Sequence, residues 1–497
     1  MSGAEIKTLR TEGKLDEALE MALSEYQESQ NDPWAVSNLV WVYDAICKKC
    51  GEEGRFDDFC KAFKEIVSLD VLGTNEILNN SLCWRFLSLL KSISNRIHEE
   101  EFHGAGDRLF TLAKELRLSK PSKQYTILLE AFLKLKDRWD GFYDFFEWWG
   151  FRNFTEEDYE SRKSSNGKTM MSVVEETFIA ASKCLLVKND VDKTKVLLSE
   201  LEYVNEQYPR ITYIGFYIGK LLLSIGDVDN SFKRLLLFAK KKKDEFWVWQ
   251  SLSETLTDEK IRLACLMRAE QCRTQDDYLV NVRQMLAKEL INHGDYVSAK
   301  KQIEKLIQSR ENNNWKIPNE VQSWVSSDWY KNPESINQAN NLDFMRITNE
   351  LLYPDQEEYT AVVSFVNVEK KMATIITGLE QSGFFNFERF HMKLQVGDIL
   401  KIRANNKKGY INALSVNKSD CIENNDFYRT ISVSVNSNED GRLYVLFEKK
   451  RLYLSRFIIQ NNGIVDGDNL KIAVLFDYNK KYEKWQWMCV SAKRRIE

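Results

Sequence analysis

The chain has 497 residues, 43% of them hydrophobic and 29% charged, which is the composition of a folded protein too long for one compact core. Its formal net charge of −4 is unevenly distributed, because residues 359–497 carry 22 Lys and Arg against 15 Asp and Glu, and this basic third is where we expect an anionic partner. Met1 to Arg10 lacks the apolar core of a signal peptide, and no stretch approaches the roughly 18 apolar residues of a membrane span. The nine cysteines are scattered and give no complete disulfide framework. We therefore expect a cytoplasmic protein with no membrane partner.

Turn-like segments and a 34-residue period predict helical hairpins through most of the chain. Gly13-Lys14-Leu15-Asp16 is one such turn, and looser copies stand at 54–58 and 189–192. Between about residues 210 and 310 three copies share one register, so that equivalent residues are 34 positions apart. The first equivalent position is an aliphatic residue followed by a small one, in Ile218-Gly219, Leu252-Ser253 and Leu286-Ala287. The second is Gly226, Lys260 and Gly294, and the third is Ser231, Cys265 and Ala299. Small residues let paired helices approach closely, and glycine suits the turn between them.

In these residues and in its period the chain resembles the tetratricopeptide repeat. The resemblance implies a helical arm, an α-solenoid over residues 1–315, with degenerate repeats over about 70–185 and regular ones over about 210–310. Stacked hairpins of this kind present an extended concave surface to segments of other proteins. We therefore expect a protein partner on the helical arm.

A Cys47-Lys48-Lys49-Cys50 segment has the spacing of half a zinc site. No second CxxC pair accompanies it, and Cys47 occupies a position where a hairpin needs a small residue. The spacing thus favours two core cysteines, and no metal or cofactor is predicted.

Ten aromatic residues are concentrated between Trp139 and Tyr159. One interpretation is a core plug where two irregular hairpins meet. The other is a partly exposed docking surface, since exposed aromatic residues dominate interface hot spots. On the second interpretation the protein-binding residues are Trp148, Trp149 and Phe151.

The pattern changes after Trp315. Prolines 318, 333 and 354 mark a connector over 316–358, in which Asp343 to Leu352 has the pattern of a capping helix. Five short strands are then predicted over 359–420, at 360–368, 373–379, 384–387, 399–404 and 410–416. Five more follow over 426–497, at 430–435, 442–447, 451–454, 470–476 and 485–490.

The two sets of strands are related to each other. Val396-Gly397-Asp398-Ile399-Leu400-Lys401-Ile402 recurs as Asp466-Gly467-Asp468-Asn469-Leu470-Lys471-Ile472, and Phe387-Glu388-Arg389-Phe390 recurs as Leu454-Ser455-Arg456-Phe457. Five strands in about 60 residues are the size of an OB-fold barrel. The fold class is therefore mainly α, with a helical arm followed by two small tandem barrels.

Here the chain resembles the S1 and cold-shock branch of OB folds. The segment 383–390, Gly-Phe-Phe-Asn-Phe-Glu-Arg-Phe, is similar to the third-strand motif of that branch, and 365–371 to the end of its first strand. The resemblance implies binding of RNA or single-stranded DNA, with Phe384 and Asn386 on the outer face. Alternation along a strand independently predicts that Phe385 and Phe387 point inward.

The resemblance and the local charge together define the predicted nucleic-acid site. In the first barrel Phe384 would stack on a base while basic residues hold phosphates; these are Lys370, Lys371, Lys401, Arg403, Lys407 and Lys408. In the second barrel the matching outward positions are Arg451 and Tyr453, and the last strand adds Lys480, Lys481 and Lys484. The second strand of the first barrel, Met372 to Ile376, offers no stacking ring.

The sequence carries no recognisable catalytic motif: no P-loop, nucleophile elbow or H-E-x-x-H is present. We expect a non-enzymatic adaptor with a protein partner on its arm and nucleic acid on its barrels, of the sort found in RNA metabolism and bacterial defence. Two other hypotheses stay open. One is a pure protein-interaction scaffold with structural barrels, and the other is an enzyme with an unfamiliar site in the aromatic region.

Overall fold

The computed structural model describes residues 2–96, 100, 104–336, 342–390, 392–407, 410–420, 422–479 and 482–494. Within these ranges the chain forms two compact units, residues 1–241 and 242–497. The first is helical apart from one short hairpin, and the second joins helices to two five-stranded antiparallel sheets. The predicted mainly α architecture with β-domains at the C-terminal end is confirmed.

The helices of the first unit follow one another with short turns. They are α1 (Ser2–Thr11), α2 (Leu15–Glu28), α3 (Pro33–Glu53), α4 (Phe56–Ser68), α5 (Glu76–Ile93), α6 (Ala105–Glu115), α7 (Lys123–Leu133), α8 (Phe142–Trp149), α9 (Val173–Lys188), α10 (Val191–Gln207), α11 (Ile214–Ser224) and α12 (Val228–Lys241). A two-stranded hairpin of β1 (Arg162–Lys163) and β2 (Thr169–Met170) lies between α8 and α9.

Glycine at a left-handed φ closes several of the predicted hairpins. A positive φ, which glycine adopts without a Cβ clash, occurs in the turns at Gly13, Gly54, Gly226 and Gly294. After Gly226, the Asp227 N–H donates to the Leu222 carbonyl at 2.9 Å, and Asp295 does the same to Leu290. The two turns have the same backbone hydrogen bond because they occupy equivalent positions of the repeat.

The predicted small positions lie where paired helices touch. Gly219 is buried, and a Cβ there would stand 2.7 Å from Cδ2 of Leu235 on the facing helix. The Ser231 hydroxyl donates to the Gly219 carbonyl at 2.7 Å. The equivalent small residues of the other two copies are also buried, namely Ser253, Cys265, Ala287 and Ala299.

The aromatic cluster forms the core of the first unit around α8. Trp149 is fully buried and stacks on Tyr125, with ring centroids 4.7 Å apart and an interplanar angle of 8°. Trp148 and Phe151 are half-buried and pack against the same core. The core-plug interpretation therefore describes the cluster, and the docking-surface interpretation is wrong for Trp149, whose ring no partner can reach.

Cys47 and Cys50 are buried in α3 among the apolar residues of the same core. Burial raises the pKa of both thiols, so they stay protonated at neutral pH. The pair contributes to packing as two small apolar side chains.

The second unit begins with helices and continues into the barrels. Its helices before the barrels are α13 (Phe246–Ser253), α14 (Glu259–Glu270), α15 (Val280–Asn292), α16 (Tyr296–Asn312), α17 (Asn319–Val325), α18 (Asp328–Lys331) and α19 (Phe344–Leu352). The expected capping helix is α19, which begins where Asp343 Oδ1 accepts a hydrogen bond from the Arg346 N–H at 3.0 Å.

One turn of the regular repeat differs from the prediction. Lys260, the counterpart of Gly226 and Gly294, lies inside α14 instead of in the turn before it. The cause is Asp258, whose Oδ1 accepts from the Ile261 N–H at 3.0 Å and caps the helix several residues earlier.

All ten predicted strands are present, with ends that differ by a few residues. The first sheet consists of β3 (Glu358–Asn367), β4 (Met372–Gly378), β5 (Gln381–Asn386), β6 (Ile399–Lys407) and β7 (Tyr410–Ser419) in the order β5-β4-β3-β6-β7. The second consists of β8 (Tyr428–Ser437), β9 (Leu443–Phe447), β10 (Lys450–Tyr453), β11 (Asn469–Asn479) and β12 (Lys484–Arg494) in the order β10-β9-β8-β11-β12, with α20 (Arg456–Asn462) between β10 and β11. Each sheet is curled into a half-barrel around its own apolar core.

The internal repeat in the sequence corresponds to one structural motif built twice. Asp398 Oδ2 accepts from the Gln395 N–H at 2.8 Å, and Asp468 Oδ2 accepts from the Val465 N–H at 2.9 Å. The following strands begin one residue later, at Ile399 and Asn469. The shared turn and the identical strand order make the two barrels structural copies.

No helix within the described ranges has both the length and the apolar character that crossing a bilayer requires.

Candidate nucleic-acid interface

The outer face of the first barrel carries a row of three side chains across adjacent strands. Thr374 on β4 is the register partner of Phe365 on β3 and of Phe384 on β5. The side chain of Phe365 is 56% exposed and that of Phe384 is 46% exposed. Since neighbouring strands lie about 4.8 Å apart, the two rings flank Thr374 at a separation of about 9–10 Å.

A second row continues this face toward the end of the strands. Met372 pairs with Asn367 on one side and with Asn386 on the other, and all three are half-buried. The Asn386 side-chain oxygen accepts from the Glu388 N–H at 2.9 Å, and Asn367 accepts from the Lys370 N–H at 2.9 Å. The two amides are thereby held in place at the edge of the aromatic row.

The strand alternation predicted for Phe385 and Phe387 agrees with the structure. Phe385 is 6% exposed and lies in the core of the barrel, and Phe387 packs against that core. Phe384, the residue before Phe385, lies on the opposite, outer face of the sheet.

The other end of the same outer face is covered by the second barrel. Val362 and Ile376 are fully buried in a cluster with apolar residues of that barrel, among them Phe427 and Leu475. The second barrel therefore limits the accessible part of the β3–β4–β5 face to the two rows described above.

Lys370 and Lys371 lie in the β3–β4 turn beside the exposed rows. Both are exposed, and Lys371 forms an ion pair with Glu388. A phosphate near this turn would meet Lys370 directly and would compete with Glu388 for Lys371. The cationic character of the turn rests mainly on Lys370.

Lys401 and Arg403 lie on β6 and not beside Phe384. The Lys401 ammonium donates to the Thr360 hydroxyl at 2.6 Å. The Arg403 side chain is only 13% exposed. It lies 3.5 Å from a carboxylate oxygen of Glu350 on α19 and donates to the carbonyls of Tyr353 and Gln356, which follow that helix. Arg403 thus joins a helix to the barrel, and the predicted cations divide into two places.

Of the remaining predicted lysines, only Lys484 has a described side chain. Lys408, Lys480 and Lys481 lie outside the described residues, and the side chain of Lys407 is not described either. Lys484 is exposed at the start of β12.

In the second barrel an aromatic and cationic cluster occupies the matching outer face. Tyr444 on β9 and Tyr453 on β10 are register partners with ring centroids 5.8 Å apart. The Arg451 guanidinium lies 4.9 Å from the centroid of the Tyr444 ring. Tyr453 is 48% exposed and the neighbouring Leu446 is 57% exposed. The structure therefore brings together Arg451 and Tyr453, which were predicted, with Tyr444.

The two tryptophans of the last strand are half-buried. Trp487 packs against the core of the second barrel, with its ring 5.1 Å from that of Phe447, and Trp485 lies 6.1 Å from Phe476. The Arg429 guanidinium lies 5.2 Å from the Trp487 ring centroid.

Sequence reasoning missed Phe365 and Tyr444. For Phe365 the strict alternation from the buried Val363 would have placed the ring inside, and a bulge between these two residues turns it outward. For Tyr444 a signal existed, because in the predicted strand 442–447 it is two residues from the charged Arg442 and so shares the face of that residue.

Two protein families match parts of the chain. Residues 212–349 match a domain of unknown function, DUF7017, and residues 353–413 match the S1/CSD-like domain 1 of the TOTE conflict systems. The second match covers β3 to β6 and the start of β7, which includes both rows of the outer face. The predicted S1/cold-shock-like domain is confirmed for the first barrel.

Among solved structures, the chain is similar to helical proteins at low identity. A structure of Naa15/Naa10 bound to HypK-THB aligns with 71% of this chain at 11% identity and a TM-score of 0.29, and the alignment spans about half, 53%, of that chain. The TPR domain of P58(IPK) aligns with 65% of this chain and 94% of its own at 13% identity and a TM-score of 0.17. A circular tandem repeat protein with novel repeat topology aligns with 71% of this chain and 74% of its own, at 10% identity and a TM-score of 0.18. No curated protein sequence matches the chain.

Proposed function

We propose that the chain is an adaptor that binds single-stranded nucleic acid, RNA or DNA, on the outer face of its first barrel and a protein partner on its helical arm. The observation that carries the proposal is the row Phe365, Thr374 and Phe384, in which two exposed rings lie on β3 and β5, one on either side of β4. Every base has a face that can stack on such rings, and each stack contributes about 1–3 kcal/mol. Lys370 and the two held amides at its edge supply contacts to phosphate and sugar.

The matched family gives this proposal a biological setting. Its name refers to conflict systems, and S1/cold-shock-like domains bind nucleic acids as a class. A role in defence is therefore the setting that we propose first, ahead of general RNA metabolism. The second barrel, with Tyr444, Arg451 and Tyr453 in the matching place, would extend the same strand contact.

Binding of mixed-sequence single strands by the full chain tests the nucleic-acid half of the proposal. We expect fluorescence anisotropy to report binding that weakens steeply with salt, because phosphate contacts release counterions. A Phe365→Ala/Phe384→Ala double variant should lose most of that binding. The matched control is Tyr278→Ala, which removes a ring that is 61% exposed elsewhere in the same unit. Equal affinity of the double variant and the control would contradict the proposal.

The protein partner is proposed to bind a groove of about 970 Å³ in the first unit. Met170, Met171 and Val187 line it with exposed apolar surface. Lys168 and Lys183 also line it, and neither makes an ion pair among the described residues. Asp137 and Asp140 line the groove as well. The exposed apolar surface therefore favours a segment with apolar side chains, whose charged groups of both signs can meet the lysines and the aspartates.

A photo-crosslinking residue at position 187 tests this assignment. It should capture a defined partner segment in cells, whereas the same residue at position 34, which is 77% exposed outside the groove, should not. The captured segment, made as a peptide, should then bind the purified chain and lose affinity in a Lys168→Glu/Lys183→Glu variant. Capture at both positions alike would contradict the groove as the binding site.

A competing hypothesis, a scaffold with structural barrels, is favoured by one observation. Three of the predicted phosphate-binding cations are engaged within the protein, since Lys371 pairs with Glu388 and both Lys401 and Arg403 contact neighbouring groups. Under this hypothesis no single-stranded probe would bind at low salt.

A further inference from the structure

A cavity of about 560 Å³ lies within the second unit, between its helices and the first barrel. It is lined by residues of α14, of α19 and of β7, and by the short helical turn 387–390 that follows β5. It does not include the rows around Phe384. Its volume is in the range of sites for small-molecule ligands.

The cavity is lined by more cationic than acidic residues. Four cationic side chains reach it, against the two carboxylates of Asp244 and Glu245. The four are Lys243, Arg268, Arg273 and Arg389. Arg273 and Arg389 are exposed at its mouth, while Lys243 and Arg268 lie deeper.

Arg268 forms part of the wall of this cavity and is held in place by hydrogen bonds. It is 8% exposed, and its Nη1 donates to Thr348 Oγ1 at 2.7 Å and to Asn349 Oδ1 at 2.9 Å on α19. Its guanidinium lies 4.3 Å from the centroid of the Trp249 ring. Burial lowers the pKa of this guanidinium to about 10, so it remains charged at neutral pH. Its hydrogen-bond partners are neutral, and the carboxylate of Asp244 acts on it only electrostatically.

Lys243 is the second deep cation. Its ammonium donates to the Leu414 carbonyl at 3.2 Å and lies 4.5 Å from the centroid of the Phe390 ring. Burial lowers its pKa, the carboxylate of Asp244 partly opposes that shift, and the like charges of Arg268 and Arg389 add to it. Asp244 acts on both Lys243 and Arg268 electrostatically, while neither cation forms an ion pair within 4 Å in the part of the chain that the structure describes.

Asp244 offsets part of this charge, but four cations line the cavity against two carboxylates. Cations that are drawn away from water and held by neutral acceptors destabilise a fold unless an anion accompanies them. Two of them at one cavity, held by neutral hydrogen-bond acceptors and aromatic rings, form a preorganised receptor for an anion with several acceptor oxygens. A phosphate group fits this description, because it accepts charge-assisted hydrogen bonds from both guanidinium and ammonium groups. We propose that the cavity binds a phosphate group through Lys243, Arg268 and Arg389.

Two sources could supply that phosphate, a free mononucleotide or the terminal phosphate of a nucleic-acid strand. Isothermal titration calorimetry on the full chain distinguishes them with inorganic phosphate, adenosine 5′-monophosphate, and a short oligonucleotide with either a 5′-phosphate or a 5′-hydroxyl group. A mononucleotide site should bind the monophosphate more tightly than inorganic phosphate. A strand-end site should instead discriminate between the two oligonucleotides by about tenfold or more.

Variants connect the binding to these residues. Lys243→Met and Arg389→Met should each weaken phosphate binding by roughly 10–100-fold, because each removes a charge-assisted hydrogen bond. Arg389 is exposed, so its variant should fold normally even if the variant of the half-buried Lys243 does not. The matched control is Arg346→Met, which removes a cation of α19 that pairs with Glu350 and does not line the cavity.

The proposal is independent of the barrel face, and one further comparison separates the two. The Phe365→Ala/Phe384→Ala variant should keep its affinity for inorganic phosphate and the monophosphate. No binding of any phosphorylated probe by the unmodified chain would overturn the cavity proposal, as would equal affinities of the Arg389→Met and Arg346→Met variants. A loss of strand binding with retained phosphate binding would locate the defect on the barrel face instead.

Discussion

Phe365 and Phe384 lie on the same face of the first barrel because both are register partners of Thr374, one on each side. Their rings are 56% and 46% exposed. A single strand that crosses β3, β4 and β5 would meet both rings about 9–10 Å apart, with only a threonine between them. This geometry favours stacking of two bases without recognition of their edges.

The first prediction separates stacking from apolar bulk. Phe384→Leu keeps a large apolar side chain but removes the ring, so we expect affinity for single strands to fall by roughly 5–150-fold, the equivalent of about 1–3 kcal/mol. Phe384→Trp should bind at least as tightly as the unmodified chain. Fluorescence anisotropy at fixed salt measures both variants, and a leucine variant with unchanged affinity would exclude a stacked base at this position.

The second prediction distinguishes the two groups of predicted cations. Lys370→Ala should weaken binding for all sequences alike and reduce the slope of log affinity against log salt by about 0.7–1, since one phosphate contact is lost. Arg403→Met should leave that slope unchanged. It should instead lower the free energy of unfolding by roughly 1–3 kcal/mol, because the Gln356 carbonyl loses its side-chain donor and the ion pairs of Arg403 with Glu350 and Glu358 are lost.

Salt titrations and chemical denaturation measure the two effects of that comparison. A reduced salt slope for Arg403→Met would show that this guanidinium contacts phosphate, contrary to its position under α19.

The third prediction concerns the second barrel. Tyr444→Ala removes the ring that both Tyr453 and Arg451 contact, so it should weaken the binding of strands long enough to reach both barrels. Strands of about 4–6 nucleotides, near the lower limit for one OB fold, should be unaffected. An equal loss for short and long strands would mean that the second barrel is the main site.

The sequence predicted the barrels well because their determinants are local. Alternation along β5 predicted that Phe384 faces outward and Phe385 inward, and the repeated Gly-Asp turn predicted two copies. It could not predict the outward ring of Phe365, because a bulge reverses the alternation and depends on the partner strand.

The sequence also could not predict contacts between segments that are far apart in the chain. Arg403 has the sequence environment of an exposed cation, yet α19 packs over it. The residues around Arg403 in the sequence do not indicate this contact. The same holds for the aromatic cluster, because its composition did not show which rings are buried. Trp149 is buried because it packs against Tyr125, which is 24 residues away in the sequence.

The fourth prediction tests that packing. The Tyr125 hydroxyl donates to the Trp149 carbonyl at 2.8 Å, and the Trp149 indole N–H donates to the Tyr125 carbonyl at 3.0 Å. Tyr125→Phe keeps the stacked ring but removes one of two donors to the Trp149 carbonyl, which also accepts from Asn153 Nδ2 at 2.6 Å. The free energy of unfolding should therefore fall by about 0.5–1.5 kcal/mol, the contribution of one hydrogen bond. Tyr26→Phe, on α2, provides a control at a less buried hydroxyl. Equal stabilities of the two variants in urea denaturation would contradict the reciprocal pair.

The fifth prediction concerns the contact between α3 and α5, where Gly51 is buried. A Cβ at this position would stand 2.9 Å from the Arg85 carbonyl oxygen and 3.3 Å from the Leu89 nitrogen, both backbone atoms of α5. Backbone atoms cannot rotate away as a side chain can, so Gly51→Ala forces the two helices apart, at a cost of about 1–3 kcal/mol.

The helix propensity of alanine works in the opposite direction by up to about 1 kcal/mol, so the net result measured by urea denaturation should be a modest loss of stability. The control is Gly73→Ala, since a Cβ at Gly73 meets nothing within 4 Å. That control should be neutral or stabilise by up to about 1 kcal/mol, because alanine restricts the unfolded chain. If Gly51→Ala were as stable as Gly73→Ala, the close approach of α3 and α5 would not be what requires glycine, and the small positions of the repeat would lose their steric explanation at this point.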